Sequence, residues 1–155
     1  MDTTEIEAAL QNSMFFKGVS PHQRQKIAAL CEIQSYRRGD KIFRQGEIGQ
    51  HLYLILKGQV VLERSVNLGS RSGNVVIEQL GTNRLLGCWS TLLNEPHILL
   101  SSAVCQKATT LLAFKGQALR AVMESDLALG FTLFEKLCFL MRDRVQHAYG
   151  ALEKM

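Results

Sequence analysis

The sequence lacks several features that would place it among membrane, secreted or metal-binding proteins. No stretch approaches the roughly 20 apolar residues of a membrane-spanning helix, and the first ten residues carry acidic side chains where a secretory signal carries basic ones. The four cysteines lie far apart, with no Cys-x-x-Cys pair and no histidine at metal-ligand spacing (Cys31, Cys88, Cys105 and Cys138). We therefore expect a cytoplasmic protein with reduced thiols, no metal site and no membrane contact.

The charged residues also lack the clustering of a nucleic-acid-binding surface. The net charge of +4 is spread over scattered lysines and arginines, without runs and without interleaved aromatic residues. Ser101 and Ser102 are possible nucleophiles, but no histidine or acidic residue lies at the spacing of a known catalytic motif. We therefore expect no catalytic residues and no enzymatic activity. The length of 155 residues, with 46% hydrophobic and 21% charged residues, predicts a single domain over 1–155.

Residues 1–32 are predicted to form two short helices. Between Thr4 and Gln11, Ile6 and Leu10 fall on one helical face. Ser20 followed by Pro21 predicts the start of the second helix, because serine is a good N-cap and proline at the first helical position loses no hydrogen bond.

Residues 33–115 change to a pattern of short β-rich runs separated by glycine-containing turns. The predicted strands are Ile33 to Tyr36, Lys41 to Arg44, His51 to Leu56, Gln59 to Arg64, Asn74 to Leu80, Leu99 to Gln106 and Thr109 to Lys115. Turns at intervals of roughly 8–12 residues are typical of an antiparallel sandwich or barrel. The polar segment from Val66 to Gly73 is predicted to be a flexible hairpin tip.

Residues 116–155 return to helical periodicity, with a short helix from Ala118 to Met123 and a long one from Asp126. Apolar residues in the long helix recur at alternating spacings of 4 and 3 (Leu127, Phe131, Phe134, Cys138, Met141, Val145, Ala148 and Leu152). A heptad pattern of this length predicts a coiled-coil seam and a homodimer with two-fold symmetry. A second stripe, Leu133, Leu137 and Leu140, is expected to pack on the β-domain. The alternative is a helix packed entirely within its own monomer.

Specific residues resemble the cyclic-nucleotide-binding domain of the CRP/FNR and protein kinase A regulatory-subunit type. They are the run from Tyr36 to Phe43, the pair Gly46-Glu47, and the positions Tyr53, Ile55, Gly58 and Val60. The resemblance extends from about Phe15 to the last helix. It implies an α+β, mainly β fold: an antiparallel, cupin-like β-roll (jelly-roll, or double-stranded β-helix) with N-terminal helices and a long C-terminal helix. The chain ends where regulators of the CRP type begin their helix-turn-helix domain, so we expect a sensor half without direct DNA binding.

The resemblance also locates a phosphate-binding cassette, in which a glutamate binds the ribose and an arginine pairs with the cyclic phosphate. Gly87 matches that cassette, but Cys88 stands at the glutamate position. Leu99, or His97 if the loop is longer, stands at the arginine position, and Asn83 can still adopt a left-handed turn. Hydrogen bonds to charged groups contribute on the order of 1.5–3 kcal/mol each. Losing both groups should cost about 4 kcal/mol, near a thousandfold in affinity.

Three interpretations of the pocket follow from this degenerate cassette. The pocket could sense a different, apolar or weakly anionic small molecule, or retain weak binding of cAMP or cGMP with Arg84 or His97 replacing the arginine. It could also be closed, in a ligand-free module for dimerisation and protein interaction. The candidate ligand-binding residues are Arg84, Leu86, Gly87, Cys88, Trp89, Ser90, Thr91, His97, Leu99, Leu100, Ser101 and Ser102. We expect no obligatory cofactor, and signalling through the dimerising helix to a downstream protein partner that the sequence does not identify.

Overall fold

The computed structural model describes residues 3–154, and within that range the chain forms five helices and ten strands. The helices are α1 (Thr3–Asn12), α2 (Pro21–Ala28), α3 (Trp89–Leu93), α4 (Gly116–Ser125) and α5 (Leu127–Glu153). The strands are β1 (Cys31–Tyr36), β2 (Lys41–Phe43), β3 (Ile48–Gly49), β4 (His51–Lys57), β5 (Val60–Asn67), β6 (Ser72–Leu80), β7 (Leu85–Leu86), β8 (His97–Ile98), β9 (Ser102–Cys105) and β10 (Thr109–Lys115).

The second helix begins where its capping residues predict. The Ser20 hydroxyl accepts a hydrogen bond from the Gln23 amide at 3.2 Å, and the Gln23 side chain accepts one from the Ser20 amide at 3.0 Å. This reciprocal pair is a capping box, which satisfies two backbone donors that a helix N-terminus leaves free.

The strands form a roll of two four-stranded antiparallel sheets and one two-stranded ribbon. The first sheet has the order β1-β10-β4-β7, the second has the order β2-β9-β5-β6, and β3 pairs with β8. Together with the N-terminal helices and the long C-terminal helix, this arrangement confirms the predicted antiparallel fold class.

Several predicted boundaries differ from the observed ones. The hairpin tip is shorter than Val66 to Gly73, because β5 and β6 stay paired up to Asn67 and Ser72. The strand predicted from Leu99 begins at Ser102, and α4 runs from Gly116 to Ser125, beyond the predicted Ala118 to Met123. The two-residue strands β3, β7 and β8 are too short to produce an alternating pattern, so they were not predicted.

Two apolar cores hold the fold together. One lies between the helices and the first sheet and includes Phe16, Phe114 and Leu119, while the other fills the roll around Ile55, Leu80 and other buried side chains. Leu133 and Leu137 of α5 are 1% and 0% exposed in the first core. The second apolar stripe of α5 therefore packs on the protein's own body, as predicted.

The N-terminus of α5 is fixed at a sharp break from α4. Asp126 has an extended backbone (φ −135°, ψ 95°), and its carboxylate accepts a hydrogen bond from the Leu129 amide at 3.2 Å. The side-chain amide of Gln23 donates a second hydrogen bond to the same carboxylate. Because α2 and α5 are joined at this residue, α5 is directed back across the roll. Within residues 3–154, no helix has the length and apolar character needed to cross a membrane.

Candidate functional site

A cavity of about 350 Å³ lies between the β-roll and α5. The roll and the segment from Gly87 to Ser101 form three sides of it, and α5 closes the fourth. Its lining residues are Phe43, Leu62, Arg64, Ile77, Gly87, Cys88, Trp89, Leu99, Leu100, Ser101, Met141, Arg144, Val145 and Ala148. A volume of this size falls within the range of small-molecule sites, which are typically apolar clefts with a few polar groups.

The floor of the cavity begins at the Gly87 turn. Gly87 has a positive φ of 73°, and a Cβ atom at this position would overlap the carbonyl oxygen of His51 in β4. Both constraints require glycine. Asn83, a few residues earlier, has φ 70° and adopts the left-handed conformation predicted for it.

Cys88 follows as a buried, uncharged group. Its side chain is 1% exposed, and burial raises the pKa of the thiol to about 11, an effect that the nearby Arg144 only partly offsets. Cys88 is the residue before α3, and its side chain makes no capping hydrogen bond to that helix. The thiol therefore contributes an apolar surface to the cavity at neutral pH.

Trp89 and Leu99 form the adjoining walls. The Trp89 ring lies against the ring of His97 with centroids 5.3 Å apart. The Leu99 amide donates to the Glu47 carbonyl at 2.8 Å, and the Leu99 carbonyl accepts from the Gly46 amide at 2.9 Å. Leu99 is 8% exposed, so it is a fixed part of the wall rather than a free side chain.

Six of the twelve predicted ligand-binding residues lie in the cavity wall, and six lie outside it. Those in the wall are Gly87, Cys88, Trp89, Leu99, Leu100 and Ser101; those outside are Arg84, Leu86, Ser90, Thr91, His97 and Ser102. Because consecutive residues of an α-helix point about 100° apart, neighbouring residues of α3 face different sides. Trp89 faces the cavity, whereas Ser90 packs against Gly116 of α4. The hydroxyls of Ser90 and Thr91 are buried, with no hydrogen-bond partner within residues 3–154.

The other residues outside the wall have structural partners. Leu86 is completely buried in the core of the roll and pairs with Tyr53 across β7 and β4. The Ser102 hydroxyl accepts a hydrogen bond from the Gln45 amide at 2.9 Å. Arg84 forms an ion pair of 2.6 Å with Glu78 and does not reach the cavity. In the structure, these side chains take part in packing, hydrogen bonding and ion pairing.

The wall contributed by α5 contains an arginine, Arg144, that is not among the predicted ligand-binding residues. Arg144 donates from Nε to Glu78 at 2.8 Å and from Nη2 to the Leu85 carbonyl at 3.1 Å. Its side chain is 15% exposed. Glu78 is 6% exposed, which is unusual for a carboxylate, and it binds Arg84 through its other oxygen. The available signal for a buried partner was that this acidic residue directly follows the apolar run Val75-Val76-Ile77 in β6.

A second arginine, Arg64 of β5, stands at the rim of the cavity. Its side chain is exposed to solvent, and Nη1 donates to the carbonyl of Leu100 on the opposite side. Across residues 3–154, Arg64 forms no ion pair with a carboxylate.

The outer face of α5 exposes an apolar stripe that differs in part from the predicted seam. The exposed positions of this stripe are Leu127, Phe131, Phe134, Cys138, Val145, Tyr149 and Leu152, and Phe139 is exposed on a neighbouring side of the helix. Met141 and Ala148, both predicted at the seam, turn toward the cavity instead. Val145 is exposed but also belongs to the cavity wall, so three of the eight seam positions contact the cavity, which a heptad pattern does not encode.

The described residues contain no group of three or more histidine, cysteine, aspartate or glutamate side chains that could hold a metal ion. Cys88 is the one residue of these four types in the wall of the cavity.

Comparisons with known proteins agree with this architecture. The sequence profile of the cyclic nucleotide-binding domain matches residues 33–126. The cyclic AMP receptor protein of Thermus thermophilus is 28% identical over 157 residues, which cover 90% of this chain and 69% of the receptor. The chain also matches cAMP-dependent protein kinase regulatory subunits, but it spans 28% or less of each.

Solved structures share the same fold at low sequence identity. A cyclic nucleotide-binding domain from Methylobacillus flagellatus has a TM-score of 0.77 and 20% identity, over 99% of this chain and 84% of that chain. The sensor domain of the transcriptional regulator DNR from Pseudomonas aeruginosa has a TM-score of 0.76 and 20% identity, over 93% of both chains.

Proposed function

The chain belongs to the cyclic nucleotide-binding domain family, and from that premise we propose that it is a regulatory module that senses a ligand in the cavity between the β-roll and α5. The observation that carries this proposal is the position of α5, which supplies Met141, Arg144, Val145 and Ala148 to the cavity wall. An occupant of the cavity therefore contacts the helix directly. Binding can shift an equilibrium only through such differential contacts.

The cassette in this proposal does not bind a cyclic nucleotide by the family's usual contacts. The buried thiol of Cys88 and the apolar side chains of Leu99 and Leu100 line the segment where ribose and phosphate groups would need partners. Burying a polar group without a hydrogen bond costs roughly 1–3 kcal/mol in proteins. Two or three unpaired groups would weaken a cyclic nucleotide by orders of magnitude.

The module acts as a homodimer that forms through the outer face of α5. That face exposes Leu127 at 78%, Phe131 at 69% and Leu152 at 57%, which is an unusual amount of apolar surface on one helix. A second copy of the helix is the partner that the heptad spacing favours. The same exposed stripe supports one further candidate function, a dimerisation module that needs no ligand.

A ligand screen with a matched pocket-filling variant separates these functions. Cyclic nucleotides, other second messengers and small acids are tested for an increase in melting temperature on the full chain and on Ala148→Phe, which projects a ring into the cavity. The control is Ala121→Phe, at an exposed position of α4. A compound that stabilises the wild type and Ala121→Phe but not Ala148→Phe binds in the cavity. If no compound does so at millimolar concentration, the sensing function is excluded and the ligand-free module stands.

A further inference from the structure

The side chains of the cavity wall indicate a narrower class of ligand than the fold alone does. Nine wall residues are apolar: Phe43, Leu62, Ile77, Trp89, Leu99, Leu100, Met141, Val145 and Ala148. No aspartate or glutamate is among the fourteen residues of the wall. The interior therefore favours an apolar body, since removing apolar surface from water is favourable.

The two arginines of the wall are not equivalent. Arg144 directs Nε and Nη2 toward Glu78 and the Leu85 carbonyl, so these two donor groups are already engaged within the protein. Arg64 has only the carbonyl of Leu100 as a partner, and within residues 3–154 no carboxylate neutralises it. Arg64 is therefore the cation that remains available at the mouth of an apolar cavity.

We infer that the cavity takes an amphipathic carboxylic acid, with its apolar body between Trp89 and α5 and its carboxylate paired with Arg64 at the rim. This inference rests on the proposed sensing function and specifies its ligand class. A guanidinium binds a carboxylate through two parallel hydrogen bonds, which is stronger than a neutral contact. A cyclic nucleotide would instead bring its ribose hydroxyls and phosphate to the apolar floor, next to Cys88 and Leu99.

Trp89 is an intrinsic fluorescent probe of ligand binding, because it is the only tryptophan in the sequence and lies in the cavity wall. Three probes, octanoate, its neutral isostere octanamide, and cAMP, are titrated separately into the full chain while the tryptophan emission is followed. The same titrations are made with Arg64→Gln, with Arg64→Lys, and with Arg71→Gln as a control on the hairpin tip outside the cavity. Isothermal titration calorimetry gives an independent dissociation constant for each probe.

Octanoate should change the Trp89 emission and bind at least tenfold more tightly than octanamide. Arg64→Gln should remove that preference, whereas Arg64→Lys and Arg71→Gln should retain it. Equal affinities of the two probes for the wild type would overturn the acid class, while the sensing function would stand because the cavity is occupied. A response to cAMP alone, or to none of the three probes, would also overturn the acid class. The ligand screen that compares the wild type with Ala148→Phe would then test the sensing function separately.

Discussion

Glu78 of β6 and Arg144 of α5 form an ion pair of 2.8 Å that joins the roll to the helix closing the cavity. Glu78 is almost completely buried, and its second oxygen binds Arg84 at 2.6 Å. The pair connects residues 66 positions apart in the chain. Since a buried carboxylate is tolerated only with charged partners, this contact fixes the position at which α5 crosses the roll.

Arg144→Met should destabilise the protein because it removes one of the two cations that compensate Glu78. Breaking a buried pair costs roughly 3–5 kcal/mol when the remaining charge is left alone, but Arg84 remains, so we expect a loss of about 2 kcal/mol. Urea unfolding measures this loss. The control is Arg142→Gln, whose exposed pair with Asp143 should contribute less than about 1 kcal/mol. Equal losses in the two variants would contradict a structural role for the Glu78–Arg144 pair.

The glycine-spaced runs were sufficient to predict the antiparallel roll, because turns at Gly46 and Gly58 demand a positive φ that few other residues adopt. The heptad spacing likewise predicted one long helix. The sequence predicted the part of the cavity wall between Gly87 and Ser101 but not the two arginines. Arg64 and Arg144 reach the cavity from β5 and α5, through contacts between distant parts of the chain. No local pattern distinguishes Arg144, which faces the cavity, from Arg142, which faces solvent.

The sequence also did not predict which side chains of α3 face the cavity. Trp89 and Ser90 are adjacent, yet one lines the cavity and the other packs on Gly116. Which residue of a single turn faces inward depends on the tertiary contacts that orient it. One of these is Arg120 of α4, which donates hydrogen bonds to the carbonyls of Thr91 and Leu92 at 3.1 and 2.7 Å.

Phe131→Lys combined with Leu152→Lys should convert a dimer into monomers. Both side chains lie on the exposed stripe of α5 and outside the cavity, so the substitutions place charges in the proposed interface without disturbing the core. Sedimentation equilibrium at tens of micromolar concentration reads out the mass, and Ala121→Lys controls for added charge at an exposed position of α4. A double variant that remains dimeric would exclude this face of α5 as the contact.

Cys138 should report the alignment of the two helices in the dimer. It lies near the middle of α5 and is the exposed cysteine, whereas Cys88 and Cys105 are each 1% exposed. In a parallel two-fold seam the two Cys138 residues face each other, and a disulfide requires Cα atoms within about 7 Å. Oxidation by copper phenanthroline should therefore give a covalent dimer on a non-reducing gel, and Cys138→Ser should abolish it. A dimer in solution that fails to cross-link would indicate an antiparallel or offset arrangement.

Cys88 should make the stability of the protein depend on alkaline pH. Its pKa is about 11 in the folded chain against 9.0 for the free group, because burial disfavours the thiolate. The folded state therefore holds this proton more tightly, and the stabilisation is complete below pH 9 and lost as the pH rises toward 11. Cys88→Ala should cost about 1 kcal/mol at pH 8 through lost packing, and the difference from wild type should shrink above pH 9 and vanish before pH 11. Other groups with raised pKa values, Cys31 and Tyr53, are present in both proteins and cancel in that difference. Urea unfolding at pH 8, 9, 10 and 10.5 measures it, and a difference that stays constant would mean that the thiol is exposed to solvent.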